Sequence, residues 1–252
     1  VKSNGESISF AKQVQLNFNG TLIAGSLTAG GSPFDGSTLS FTGVEATDSN
    51  EGQLFMKADS EMKLYDSGIS HTVTNNDSAP FRLFWNGDVK AKASTFQNWF
   101  TIRFLGTDND LEDIVITNMG EGFYPSTTQN GTLNIIKSRN IKRGGLVLED
   151  GPNQTITALE VSEATNDILL LNYNGTTNLI NPIINFSNLN WSGDSTFTGI
   201  VNRIYQYDIT TQDSTASALA NTTIVLLDTF GDIVFSLRTA ADGTIAQQEI
   251  TR

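Results

Sequence analysis

The densest chemistry-bearing stretch of the chain is Asp108-Asn109-Asp110-Leu111-Glu112-Asp113, four carboxylates within six residues. Oxygen-rich clusters of this kind can hold calcium, and Asp108, Asp110 and Asp113 are the candidate ligands. The glycine and the distant bidentate glutamate of an EF-hand loop are absent, so a solvated corner is the competing reading. A basic group follows at Lys137, Arg139, Lys142 and Arg143. These cations either join a site beside the acids or pair with neighbouring anions, as Lys137 would with Glu160. Glycoside hydrolysis needs two carboxylates at a set separation, for which Asp108, Asp110, Asp113, Glu149 and Asp150 are the available suppliers.

Other catalytic chemistry finds little support. His71 is the single histidine and reads as a structural residue rather than the base of a triad. There is no H-x-x-x-H, P-loop or G-x-G-x-x-G pattern, and Ala29-Gly30-Gly31-Ser32 reads as a loop. The expectation is a non-enzyme with no catalytic residues and no cofactor, calcium being the one metal with any basis. Trp85, Trp99 and Trp191 would suit a glycan if they lined a groove, but core packing is the stronger reading for at least two of them. Asn-x-Ser/Thr sequons occur at Asn19, Asn76, Asn130, Asn153, Asn174, Asn185, Asn190 and Asn221, a modest excess over chance that permits a glycoprotein.

The elements that must position these residues are set by a repeat. Apolar strand starts fall at Leu22, Leu39, Met62, Val89, Leu111, Leu133, Ile156 and Leu179, and the last four steps are 22, 22, 23 and 23. A second ladder, Phe100, Phe123, Leu146, Ile168 and Trp191, keeps the same period. Between them recurs a polar corner followed by an apolar residue: Ser67-Gly68-Ile69, Ser94-Thr95-Phe96, Thr117-Asn118-Met119, Arg139-Asn140-Ile141 and Ser187-Asn188-Leu189. One period at several positions is what a coil of stacked strands requires, because equivalent side chains lie about 4.8 Å apart along its axis and must share a class. Asn118, Asn140 and Asn188 suit the corner, since Asn tolerates left-handed backbone and its amide can bond the neighbour above. The competing antiparallel sandwich, with strands every 8–12 residues, does not produce such a period.

The expected fold is therefore all-β: an entry segment at 1–19, a parallel β-helix of about eight rungs at 20–196, and a hairpin-rich module at 197–252. In the last, Phe197–Asp208 reads as an exit strand, and turns at Thr229-Phe230-Gly231-Asp232 and Ala241-Asp242-Gly243 separate short strands. The repeat resembles the right-handed parallel β-helix of pectate-lyase-like and phage tailspike proteins. That resemblance would set acidic calcium ligands beside basic residues on one face of the coil. The stretch Ala218–Asp228 through Ala241-Asp242-Gly243-Thr244-Ile245 looks like a carboxypeptidase-regulatory-like, Ig-like surface domain, which implies a non-catalytic spacer with too few strands unless a partner completes it.

Composition narrows the partners. Fifteen Lys and Arg against 27 Asp and Glu leave a net charge of −12, which repels phosphate backbones and anionic headgroups, so neither nucleic acid nor a membrane surface is expected. The absence of Cys rules out disulfides and thiol chemistry, and no apolar run reaches the ~18 residues of a membrane span. The start at Val1, without a basic and apolar leader, reads as a processed end or a fragment. Together these features lead to the expectation of a structural or adhesive block of an extracellular, cell-surface or virion assembly: a surface layer, filament, adhesin stalk or phage appendage. Self-assembly would run through the coil ends or the C-terminal module. The alternatives are a polysaccharide lyase or glycosidase, or a passive glycan binder.

Overall fold

The computed structural model describes residues 2–3, 7–10, 21–24, 37–41, 53–56, 61–71, 82–85, 87–125, 129–151, 153–192 and 198–251. In chain order its early strands are β1 (Lys2–Ser3), β2 (Ser7–Phe10), β3 (Thr21–Ala24), β4 (Ser37–Phe41), β5 (Gln53–Met56), β6 (Glu61–Tyr65), β7 (Ser67–His71) and β8 (Arg82–Trp85). The regular part holds β9 (Asp88–Gln97), β10 (Thr101–Phe104), β11 (Asp110–Met119), β12 (Phe123–Pro125), β13 (Leu133–Glu149), β14 (Gln154–Thr157), β15 (Glu160–Leu171), β16 (Thr176–Ile180) and β17 (Leu189–Ser192). Last come β18 (Ile200–Tyr207), β19 (Thr223–Leu227), β20 (Ile233–Arg238) and β21 (Gln248–Thr251). The chain divides into two compact units, Val1–Asn202 and Arg203–Arg252.

The first unit is a parallel β-solenoid with three columns of stacked strands. One column carries Leu22↔Met62↔Val89, then Leu64↔Ala91↔Leu111↔Leu133 and, a turn later, Ile156↔Leu179. The second carries Ile8↔Leu39↔Ile69↔Phe96↔Ile116↔Ser138↔Val161. The third carries Leu54↔Leu83↔Ile102↔Phe123↔Leu146↔Ile168↔Leu189. Inward members from Met62 to Leu179 form one continuous apolar cluster, so the core is a column rather than a sphere.

About five turns of the solenoid are regular, rather than the eight expected. The regular ones begin near Asp88, Asp110, Leu133, Gln154 and Thr176. Leu39 is not a rung of the first ladder, because it pairs with Ile8 and Ile69 in the second column. The second expected ladder is right at Phe123, Leu146 and Ile168 and two residues out at its ends, where Ile102 replaces Phe100 and Leu189 replaces Trp191. A slip of two leaves the inward face unchanged, so alternation alone cannot detect it.

The corners are set by left-handed residues in register. Asp66, Ala93, Asp113, Ile135, Ala158 and Asn181, with φ between 46° and 53°, turn the chain from the first column to the second. Asn98, Asn118, Asn140 and Glu163 form a second such row, with φ from 51° to 66°. Asn and Asp occupy most of these positions because their short polar side chains tolerate this backbone. Asn140 Nδ2 donates to Asn118 Oδ1 at 2.7 Å, the expected amide-to-amide bond between turns. Asn188 does not belong to this row: its Nδ2 donates to Asp167 Oδ1 at 2.9 Å, at another corner. The triplets at Ser67 and Ser94 likewise open second-column strands, with Gly68 opposite Thr95. Where the third corner closes tightly, glycine is required. A Cβ at Gly122 would lie 2.2 Å from the Gly145 carbonyl oxygen, and one at Gly145 would lie 2.2 Å from Val161 Cγ1.

The second unit is antiparallel. β18 pairs with β21 through Ile204↔Thr251 to Tyr207↔Gln248, and β19 pairs with β20 in a separate two-stranded sheet. The expected turns are present, with Gly231 at φ 90° and Gly243 at φ 76°. Asp228 Oδ1 accepts the backbone N–H groups of Phe230 and Asp232, and Asp242 Oδ1 accepts those of Thr244 and its hydroxyl.

Candidate functional site

The acidic run sits where the first column enters its corner, and the stacking of turns decides its partners. Lys90, one turn earlier, is aligned with Asp110. Its Nζ lies 2.9 Å from Asp110 Oδ2 and 3.1 Å from Asp108 Oδ2. Asp113 is the left-handed corner residue, and its Oδ1 lies 3.0 Å from Lys137 Nζ on the next turn. The three candidate calcium ligands are thus divided between two lysines. Among the described residues no group of three His, Cys, Asp or Glu side chains could hold a metal ion.

Asp110 is nevertheless electrostatically tuned. Burial pushes its pKa up, but the Thr132 N–H bond and the Lys90 ammonium outweigh burial and hold the carboxyl below its usual range. Lys90 is raised: burial works against the ammonium, while the Asp110 and Asp108 bonds more than offset it. A carboxylate depressed in the folded state stabilises the fold above its unfolded pKa of about 3.9, and that contribution is lost as pH falls through the lower folded value. Asp110→Asn is therefore expected to flatten the acid limb of a melting-temperature profile below about pH 4 while leaving the alkaline side to the lysines. Identical acid limbs in the two proteins would contradict this assignment.

The basic quartet resolves into pairing between turns. Lys137 is aligned with Glu160. Arg139 NH2 meets Glu160 Oε1 at 3.0 Å, and Arg143 NH1 meets Glu121 Oε1 at 3.2 Å. Such pairs contribute ~0–1 kcal/mol when both members are exposed. The last differs, because the Glu121 side chain is only 6% exposed and its Oε2 is buried without a hydrogen-bond partner.

Sequence reasoning missed the most structured polar group. On the third column, Arg103 lies opposite Tyr124. Between Ile102 and Phe104, which point into the core, it projects from the other face. Its guanidinium lies 4.3 Å from the Tyr124 ring centroid and 5.7 Å from that of Phe84, distances at which a cation is attracted to the ring face. Glu149 Oε2 accepts both Arg103 NH1 at 3.0 Å and Tyr124 OH at 2.5 Å. Burial first, then the bond to Glu149, push the Tyr124 phenol well above its usual value, so it serves as a hydrogen-bond donor. The register Phe123↔Leu146 sets Tyr124 beside Val147, two residues short of Glu149, so the ladder alone does not reveal this group. Of the expected carboxylate suppliers, Glu149 is thus committed to Arg103 and Tyr124.

A shallow groove elsewhere on the coil is lined by Gln129, Asn130, Asn153, Gln154, Thr176 and Asn178, all uncharged. Gln154 is 5% exposed, and its Oε1 has no hydrogen-bond partner. Asn153 Oδ1 accepts the Thr176 N–H one turn on, and Asn174 Oδ1 accepts that of Thr198. The sequon residues Asn130, Asn153, Asn174, Asn185, Asn190 and Asn221 are all exposed. Asn19 and Asn76 lie outside the described residues, as does the loop at Ala29. Trp99 is core, at 1% exposure, whereas Trp191, aligned with the core residue Leu170, is 67% exposed on the last strand of the stack. His71 and Trp85 each close a strand. Comparison with family models, with curated proteins and with solved structures returns no match, so the parallel β-solenoid is the level at which the chain is classified.

Proposed function

We propose that the chain is a non-catalytic structural or adhesive building block of an extracellular or virion assembly, joined to its neighbours by self-assembly. The observation that carries this reading is the last turn of the coil. All four residues of β17 are exposed, Trp191 at 67%, as is Ile183 ahead of the strand at 67%, and β17 pairs with β15. Apolar side chains exposed on the last described strand of a coil suit packing against a neighbouring copy, and a strand edge there is a template for strand addition. The right-handed pectate-lyase-like coil and the carboxypeptidase-regulatory-like spacer fit the same role, and exposed sequons suit a glycosylated surface. No helix among the described residues is long and apolar enough to cross a membrane.

Light scattering and negative-stain microscopy of the whole chain test the proposal. The expected outcome is concentration-dependent growth into large particles or filaments that Trp191→Lys abolishes. Absence of such growth at high concentration, or release of reducing ends or unsaturated products from a polysaccharide that Asp113→Asn eliminates, would overturn it. A second reading, passive binding of a neutral glycan, is favoured by the uncharged amide groove around Gln154. It predicts saturable binding that survives removal of Asp108, Asp110 and Asp113.

A further inference from the structure

The unit Arg203–Arg252 lacks a core. Among its described residues only Thr239, Gly243 and Ile245 are buried, while Val225, Leu227, Phe230 and Ile233 stand 48%, 51%, 90% and 68% exposed. The β19–β20 hairpin forms a sheet of its own, and an isolated two-stranded hairpin is marginally stable at best in water. Its register shows how the exposed residues are arranged. Thr223 lies opposite Arg238 and Val225 opposite Ser236 on one exposed face, and beyond a register shift between Leu226 and Leu227 the exposed Leu227 stands opposite the exposed Ile233 at its far end. That face is apolar along its middle, with a cation at its base and Asp228 and Asp232 at its tip. Asp228 is fixed there by its bonds to the N–H groups of Phe230 and Asp232.

A surface with opposite charges at its two ends and apolar side chains between is complementary to itself turned through half a revolution. We infer that the β19–β20 hairpin is a dimerisation element of this chain. In the dimer the Val225–Leu227–Ile233 faces of two copies pack about a twofold axis, setting Arg238 of each copy against Asp232 of the other. The two-stranded sheet gains a second layer, and Phe230 at each tip lies against the base of the other hairpin. Such a contact is isologous and closes at two copies. It therefore joins pairs rather than extending the assembly, and growth from the coil ends would build on it. This inference rests on the self-assembly reading but uses a different surface.

Sedimentation analysis of the full chain reads the result. The wild type is expected as a dimer at micromolar concentration, below the onset of larger particles. Val225→Lys is expected to give a monomer with an unchanged circular dichroism spectrum. Arg238→Asp and Asp232→Arg, each alone, place like charges at both ends of the contact and are expected to weaken association at least tenfold. Mixing these two variants restores opposite charges at both ends, so the mixed dimer should form with near wild-type affinity. A wild type monomeric throughout, or a mixture no tighter than either variant alone, would overturn the inference. Large particles that grow directly from monomers, with no dimer at any lower concentration, would sink the hairpin contact and leave the assembly reading standing. A dimer that never grows would do the reverse.

Discussion

Phe123→Ala is expected to lower the unfolding free energy of the coil by about 3–5 kcal/mol, the usual cost of truncating a buried aromatic side chain. Phe123 is fully buried and stands between Ile102 and Leu146 in the third column, with its ring centroid 5.6 Å from that of Phe104. The cost is high because a solenoid core is one side chain thick, and the turns above and below are held at a fixed spacing by their hydrogen bonds. They cannot close the cavity without breaking register. In a stack where each turn contacts only its neighbours, the damage should also be local. Hydrogen exchange is expected to accelerate in the strands around Ile102, Phe123 and Leu146 before it changes near Leu179. A loss below about 1 kcal/mol in chemical denaturation would mean that the column collapses around the gap, contrary to the rigid packing inferred here.

The second large effect concerns Arg143. Arg143→Met leaves the Glu121 carboxylate buried without its cation and removes a guanidinium 5.3 Å from the Phe100 ring centroid. The expected loss is on the order of 2–3 kcal/mol, the penalty of a buried charged group deprived of its partner. Glu121→Gln alone should cost less, because the amide needs no counter-charge. The double variant should be close to Glu121→Gln rather than to the sum of the two losses. A double-mutant cycle measured by denaturation reads this coupling, and strict additivity would show that the pair does not interact.

The sequence disclosed the period because stacking forces residue classes to recur, and Leu111, Leu133, Ile156 and Leu179 do so nearly every 23 positions. It disclosed the Asn118–Asn140 corner for the same reason. Pairing within columns was harder to read. Phe100 and Ile102, or Trp191 and Leu189, differ by two residues on an alternating strand, and both fit the pattern equally well. Ala93, Ala158 and Ile135 turn corners that Asp and Asn turn elsewhere, so composition hid half of that row. The Arg103–Tyr124–Glu149 group was invisible because its members are 25 and 46 residues from Glu149 and meet only after two turns of coil. The acidic run at Asp108–Asp113 drew attention because its charges are adjacent in the chain. In space each is answered from another turn, by Lys90 and Lys92 below and Lys137 above.

The parallel columns have a mechanical consequence. Their hydrogen bonds run between turns, along the axis, so a pull on the two ends of the coil loads every turn-to-turn interface in series. The weakest interface yields first, and the force on the others relaxes as its chain pays out. With 22 or 23 residues per turn, each yielding step frees roughly 75 Å of extended chain. A stalk built this way would lengthen in discrete steps under tension and shorten again as the turns refold onto the intact stack.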